Sequence, residues 1–275
     1  MTSTSIHRVS VTKPEPIERD AISARRAIAA EGVRHGFGEL EVLSGIDLEV
    51  RESEVVGLVG PSGCGKSTLL ELVSGLAEPR SGSIAVEGAP DGDARLASCA
   101  YMPQRDLLFP WLSALDNAAL APRNLGASQR AAREEALPLF ARFGLADFAD
   151  AKPGELSGGM RQRVAFLRTL LAGKPVLLLD EPFAALDAIT RGEMQEWLAG
   201  ALLAESRTVL LVTHDVEEAL YLSDRVLVLS ARPARVVAEL RPQAPRSPDR
   251  AGSVTDPCFA SLRSEALRAL REGSR

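Results

Sequence analysis

EVVGLVGPSGCGKSTLLELVSGL, residues 54–76, decides the fold. Its first part, EVVGLVG (54–60), is a short apolar run ending in glycine, the pattern of a strand buried on both faces of a parallel sheet. Its last part, STLLELVSGL (67–76), has helical periodicity and stops at glycine. Between them, GPSGCGKST (60–68) fits G-x-x-x-x-G-K-[ST] in the strand–loop–helix setting that the motif requires. Gly63 and Gly65 let backbone N–H groups turn toward phosphate oxygens with no Cβ in the way. The helix beginning near Lys66 aims its N-terminal dipole at the same anion. Lys66 offers a point charge to β- and γ-phosphates, and Ser67 offers a hydroxyl to Mg²⁺. Gly60, Pro61, Ser62, Cys64 and Thr68 complete the loop. At a free position of the motif Cys64 needs no role beyond being small. A redox or alkylation switch is the sharper reading, and it rests on a helix N-terminus lowering the thiol pKa.

A second site follows downstream. VLLLDEPF (176–183) is an apolar strand ending in two adjacent acids. Asp180 can hold Mg²⁺, and Glu181 is placed to polarise an attacking water as general base. Alone, the pair reads equally well as a helix N-cap. A phosphate loop earlier in the chain favours the nucleotide reading.

Composition narrows the class. The chain has 275 residues, 45% hydrophobic and 25% charged, which suits one or two globular domains. A net charge of −5 does not favour a nucleic-acid footprint, so no nucleic-acid partner is expected. Cys64, Cys99 and Cys258 are odd in number and far apart, which is no disulfide framework and fits a reducing compartment. The N-terminus has no apolar signal region, and no window approaches the ~18 apolar residues of a membrane span.

The alternation of strands and helices predicts an α/β fold with a helical insertion. Residues 1–23 read as a disordered extension, 24–240 as the ATP-binding domain and 241–275 as a short tail. The helical subdomain, about 105–170, is Ala/Arg/Leu/Glu-rich and includes SQRAAREEALPLFARFGL (128–145). The tail ends in an amphipathic stretch, FASLRSEALRAL (259–270), that reads as a short helix or two.

ELSGGMRQRVAFLRTL (155–170) points to the family. Here the chain resembles the ATP-binding cassette ATPases of transporters, over about Ala24 to Leu240. The resemblance implies a P-loop NTPase core, RecA-like, with an inserted helical subdomain and a small antiparallel β subdomain. Leu156-Ser157-Gly158-Gly159-Met160 is similar to the family signature LSGGQ, and Ser157 with two glycines at a helix start is physically a second anion site. The resemblance implies that Ser157, Gly158 and Gly159 contact a γ-phosphate held by another copy, hence an ATP-sandwiched homodimer. Met160 departs from the usual Gln, which removes a polar contact. Arg161 and Arg163 read as helix-face charges or as something more. Ala185-Leu186-Asp187 matches the segment that touches the opposite subunit, and His214 in LVTHD matches the histidine that senses γ-phosphate and orients Glu181 and the water. Phe37 stands 23 residues before Gly60 and matches the aromatic that stacks on adenine, with core packing as its other reading.

Gln104 matches the glutamine that reaches Mg²⁺ and the water from a flexible hinge. It opens QRDLLFPWLSALDN (104–117), which places Phe109 and Trp111 either side of Pro110 in a chain with 4% aromatics. Such a run is either buried core or a docking surface for a partner helix. LLFPW followed by LDNAAL, together with Met160, resembles the importer branch serving nitrate, sulfonate, taurine and thiamine-precursor pyrimidine uptake, though Phe109 interrupts its LLPW.

The resemblance implies an ATP-hydrolysing subunit, using ATP and Mg²⁺, peripheral on the cytoplasmic face of the membrane. Its partners would be two membrane-spanning permease subunits and an extracytoplasmic substrate-binding protein. The alternatives are the ATPase of an exporter or lipid-extraction system, or a non-transport cassette ATPase. The last class typically carries coiled-coil insertions, zinc sites or tandem cassettes, none of which is legible here. Only 61 residues follow His214, too few for an appended regulatory barrel.

Overall fold

The computed structural model describes residues 25–184, 186–204, 207–242 and 247–274. The extension expected over residues 1–23, and Ala185, lie outside the described residues.

Strands β1 (Arg26–Phe37) and β2 (Leu40–Arg51) form an antiparallel hairpin closed by the Phe37–Leu40 pair. β3 (Val55–Val59) follows, buried at every residue, and runs through the phosphate loop into α1 (Lys66–Ser74). β4 (Ser81–Val86) returns to the free side of β1, so a three-stranded antiparallel sheet has the order β2-β1-β4. α2 (Gly92–Ser98), capped by Asp91, leads to β5 (Cys99–Met102). Helices α3 (Ala114–Ala118), α4 (Leu120–Asn124), α5 (Gln129–Arg142) and α6 (Gly158–Leu170) then intervene before β6 (Val176–Asp180). The rest is α7 (Ala188–Ala204), β7 (Thr208–Thr213), α8 (Val216–Leu222), β8 (Arg225–Leu229), β9 (Val236–Leu240), α9 (Arg250–Thr255) and α10 (Pro257–Gly273).

The main sheet has the order β5-β6-β7-β3-β8-β9, parallel except for the β8–β9 pair. Its central strands are continuous apolar runs because both faces are covered. This architecture sets the site. β5, β6, β7 and β3 are adjacent and parallel, so the loops after all four emerge along one edge, where α/β folds bind ligands. Gln104, Asp180-Glu181, His214 and Gly60–Lys66 occupy those four loops.

The antiparallel sheet packs directly on the phosphate loop. Gly65 has φ +118°, and a Cβ there would lie 2.7 Å from Val42 Cγ1 and 2.9 Å from Leu43 Cδ2, so only glycine lets β2 close over the loop. On the far side α10 packs on α8, β8 and β9. Its Ala266 is fully buried beside Val59, Val216 and Leu220. The tail is thus bound to the core, with Arg263 Nη1 2.6 Å from Glu217 Oε1.

Candidate functional site

An open cleft of about 460 Å³ lies between the β1–β2 hairpin and the phosphate loop. Phe37, at the hairpin tip, lines it and is 59% exposed, which removes its core-packing alternative. The His35 ring supports Phe37 edge-on at 5.2 Å. Ser62, Gly63, Gly65, Lys66, Ser67 and Thr68 form the floor. Lys66 is buried to 5% exposure, and its Nζ donates to Gly60 O (2.8 Å) and Pro61 O (3.0 Å). Its ammonium is thereby fixed under the loop with one donor to spare.

Cys64 is buried, and burial raises its thiol pKa against the opposing pull of Lys66. Burial and the direction of that shift fit a small packing residue better than a reactive switch.

The acid pair ends β6 with its two carboxylates in different surroundings. Asp180 is 3% exposed. Its Oδ2 accepts from the Tyr101 hydroxyl at 3.3 Å, and its Oδ1 is buried with no hydrogen-bond partner among the described residues. Burial raises the Asp180 pKa against the pull of the nearby Ser67 and Tyr101 hydroxyls. A buried carboxylate oxygen without a donor, beside a serine hydroxyl under a phosphate loop, suits an oxygen-seeking divalent cation. Glu181 instead opens onto the cleft. Its Oε2 accepts from Gln104 Nε2 at 2.9 Å and lies 3.2 Å from His214 Nδ1. Its backbone is held at φ +46°, a left-handed conformation rare for a side-chain-bearing residue, with its N–H bonded to Val212 O at 2.8 Å. Residues from three strand ends thus meet at one carboxylate oxygen.

Behind His214 the end of β7 is braced. Glu218 is buried and accepts from Gln195 Nε2 (3.0 Å), and Gln195 Oε1 accepts from Arg250 Nε (2.7 Å). Burial pushes the Glu218 carboxyl up to about 7.

Ser157, Gly158, Gly159 and Asp187 do not line this cleft. Ser157 caps α6, its Oγ accepting from Met160 N at 3.2 Å. Asp187 caps α7, accepting from Ile189 N and Thr190 N at 3.1 Å each. The two helix starts touch: a Cβ on Gly159 would lie 2.8 Å from Thr190 Cγ2. They form one exposed surface, separate from the chain's own phosphate loop.

The run after Gln104 divides. Leu108 is buried, while Leu107, Phe109 and Trp111 are 57%, 42% and 68% exposed. The Phe109 and Trp111 rings stack at 5.1 Å. Arg161, read from sequence as a helix-face charge or something more, binds Asp106 Oδ2 (3.1 Å) and Leu156 O (2.8 Å). Arg168 donates to Asp106 O (2.6 Å) and Leu107 O (2.8 Å). Three contributors had escaped sequence reasoning. Arg168 lies seven residues after Arg161 on the same helix face, a readable spacing. Tyr101 immediately precedes Met102-Pro103-Gln104, but nothing marked its partner. Arg232, which lines the cleft, carries no motif at all.

Residues 43–184 match the family model described as ABC transporter. The aliphatic sulfonates import ATP-binding protein SsuB 1 of Mesorhizobium japonicum is 46% identical over 248 residues, 90% of this chain and 91% of that protein. The formylaminopyrimidine import ATP-binding protein ThiZ of Halalkalibacterium halodurans is 42% identical over 200 residues, 73% of this chain and 78% of that protein. Among solved structures, the dimeric post-hydrolysis state of the ATP-binding cassette MJ0796 bound to ADP and Pi matches with a TM-score of 0.70 at 29% identity. The match covers 79% of this chain and 99% of that one. A phosphate loop, a glutamine, an acid pair and a histidine on four adjacent strand ends, in a chain matched over most of its length by such proteins, mean that it belongs to the ABC transporter family as an ATP-hydrolysing cassette.

Proposed function

We propose that two copies of this chain hydrolyse ATP to drive a binding-protein-dependent importer for a small anionic or heterocyclic nutrient. Phe37 stacks on the adenine. The backbone N–H groups of the loop from Ser62 to Thr68, with Lys66, hold the phosphates by charge-assisted bonds from a preorganised loop. Asp180, Ser67 and Gln104 would hold Mg²⁺, which would draw negative charge from the β- and γ-phosphate oxygens. Glu181 takes the proton of the water that attacks the γ-phosphate in line, while Gln104 and His214 hold its carboxylate in place. Ser157, Gly158, Gly159 and Asp187 complete the site of the second copy. Their exposure away from this chain's own cleft supports that role, as does the dimeric state named for MJ0796.

The observation that carries the transport reading is the exposed Leu107, stacked Phe109 and Trp111 beside Gln104. An apolar, aromatic surface at a catalytic hinge suits the short helix of a membrane subunit. Among the described residues no helix is long and apolar enough to cross a membrane. In this reading the membrane subunit is a separate chain, and this one sits against it from the cytoplasmic side. Relatives named for aliphatic sulfonates and formylaminopyrimidine support the range of cargo. The test is to purify the tagged chain from gently solubilised native membranes and identify what accompanies it. A multi-span permease with an extracytoplasmic binding protein is expected. Ribosomes or a soluble partner in its place would overturn the importer.

A further inference from the structure

We infer that Arg232 is a second cationic contact for the phosphates of the bound nucleotide, opposite Lys66. The inference rests on the reading of the cleft as the ATP site. Arg232 lines that cleft, and its Nη2 lies 3.4 Å from where a Cβ of Gly63 would stand, directly over the phosphate loop. Lys66 is held within the loop by the carbonyls of Gly60 and Pro61. The cations that act on Cys64, in the middle of the loop, are these two.

Arg232 has no hydrogen-bond or ion-pair partner among the described residues, whereas Arg225, seven residues earlier, is bonded to both Glu54 and Glu239. Its backbone is nonetheless tightly held. Ala231 N donates to Gly273 O at the end of α10 (2.8 Å), Ala234 N to Val42 O (2.8 Å), and Ala234 O accepts from Ser44 N (3.0 Å). Val42 itself lines the cleft. A guanidinium on a clamped loop, over a phosphate cradle and with five unclaimed donors, is arranged for bidentate phosphate recognition. The C-terminal helix acquires a purpose as well, since its last turn anchors the peptide before Arg232.

The test is competition of ATP, ADP and adenosine against a fluorescent ATP analogue on the full chain, with melting temperature measured alongside. Arg232→Ala is expected to weaken ATP and ADP roughly tenfold, the loss of one charge-assisted contact, and adenosine hardly at all. Arg232→Lys should recover part of the loss. Lys66→Ala serves as the control for the site. If Lys66→Ala abolishes ATP binding while Arg232→Ala changes ATP and ADP less than twofold, this inference fails and the site stands. Equal weakening of adenosine and ATP would likewise remove the phosphate assignment. If Lys66→Ala also leaves ATP affinity intact, the cleft is not the nucleotide site and both readings fall.

Discussion

Strands β3 and β5 lie in one sheet and each ends in a loop that feeds a helix, yet the two loops are built in opposite ways. The loop after β3 holds itself. Cys64 N bonds to Pro61 O at 3.2 Å, Lys66 bonds to Gly60 and Pro61, and glycines at 63 and 65 take the left-handed turns. The loop after β5 is held from elsewhere. Arg161 and Arg168 of α6 clamp Asp106 and Leu107, Lys152 Nζ reaches Trp111 O at 2.9 Å, and Leu107 is kept at φ +45°. Asn117 seals the far end, accepting from Phe109 N at 2.7 Å and donating to Phe109 O at 3.1 Å. A self-held loop keeps its shape whatever its neighbours do, as a phosphate cradle requires. A loop tied to α6 follows α6, and α6 begins at Ser157, on the surface assigned to the second copy. The hinge run is therefore linked to the face that would meet another subunit's nucleotide.

The largest effect should come from the residue that serves both loops. Glu181 faces the cradle and accepts its hydrogen bond from Gln104, the first residue of the hinge. Glu181→Gln keeps the shape and removes the base, so turnover should fall about 100-fold or more while ATP binding and dimer formation persist. Single-turnover hydrolysis with equilibrium ATP binding separates the two. Turnover at the wild-type rate would dismiss Glu181 as general base.

A loop held by its own backbone has a local sequence pattern, and for that reason the phosphate site, the strand preceding Asp180-Glu181 and the helix after Lys66 are legible as motifs. The hinge is held across 55 to 62 residues of chain by Arg161 and Arg168, and no local pattern announces such pairs. From the sequence the run is therefore apolar without a side, core or surface, and the structure divides it residue by residue. The same physics hides Arg232, brought over Gly63 by β2 and the last turn of α10. β8, by contrast, is legible as a strand: RVLVL (225–229) is as apolar a run as β7, although it carries no motif.

A smaller effect tests the external clamp. Arg168→Ala removes two charge-assisted bonds to the carbonyls of Asp106 and Leu107 and leaves the cradle untouched. Stability should drop by about 2 kcal/mol. Amide exchange should accelerate over residues 105–112 and not over 60–68. Equal acceleration in both loops would mean that the hinge is no more dependent on α6 than the cradle is.

The smallest effect on the isolated chain should come from Trp111→Ala, and its smallness is what makes it informative. Trp111 is 68% exposed and contributes its stacking on Phe109, whereas Leu108, three positions earlier, is buried against the core. Truncating an exposed side chain usually changes stability by no more than about 0.5 kcal/mol, with up to about 1 kcal/mol more from a lost aromatic pair. ATPase activity of the soluble protein should therefore stay within about twofold. Assembly with the membrane subunit should weaken by about tenfold or more, because buried aromatic anchors carry most of an interface's energy. Leu108→Ala sets the opposite expectation, a cost of about 2 kcal/mol or more in stability from a vacated core position. If Trp111→Ala lowers soluble ATPase activity as much as it lowers assembly, the exposed half of the run acts within the hinge. The contrast between a self-held cradle and an outward-facing hinge would then narrow to Leu107 and Phe109.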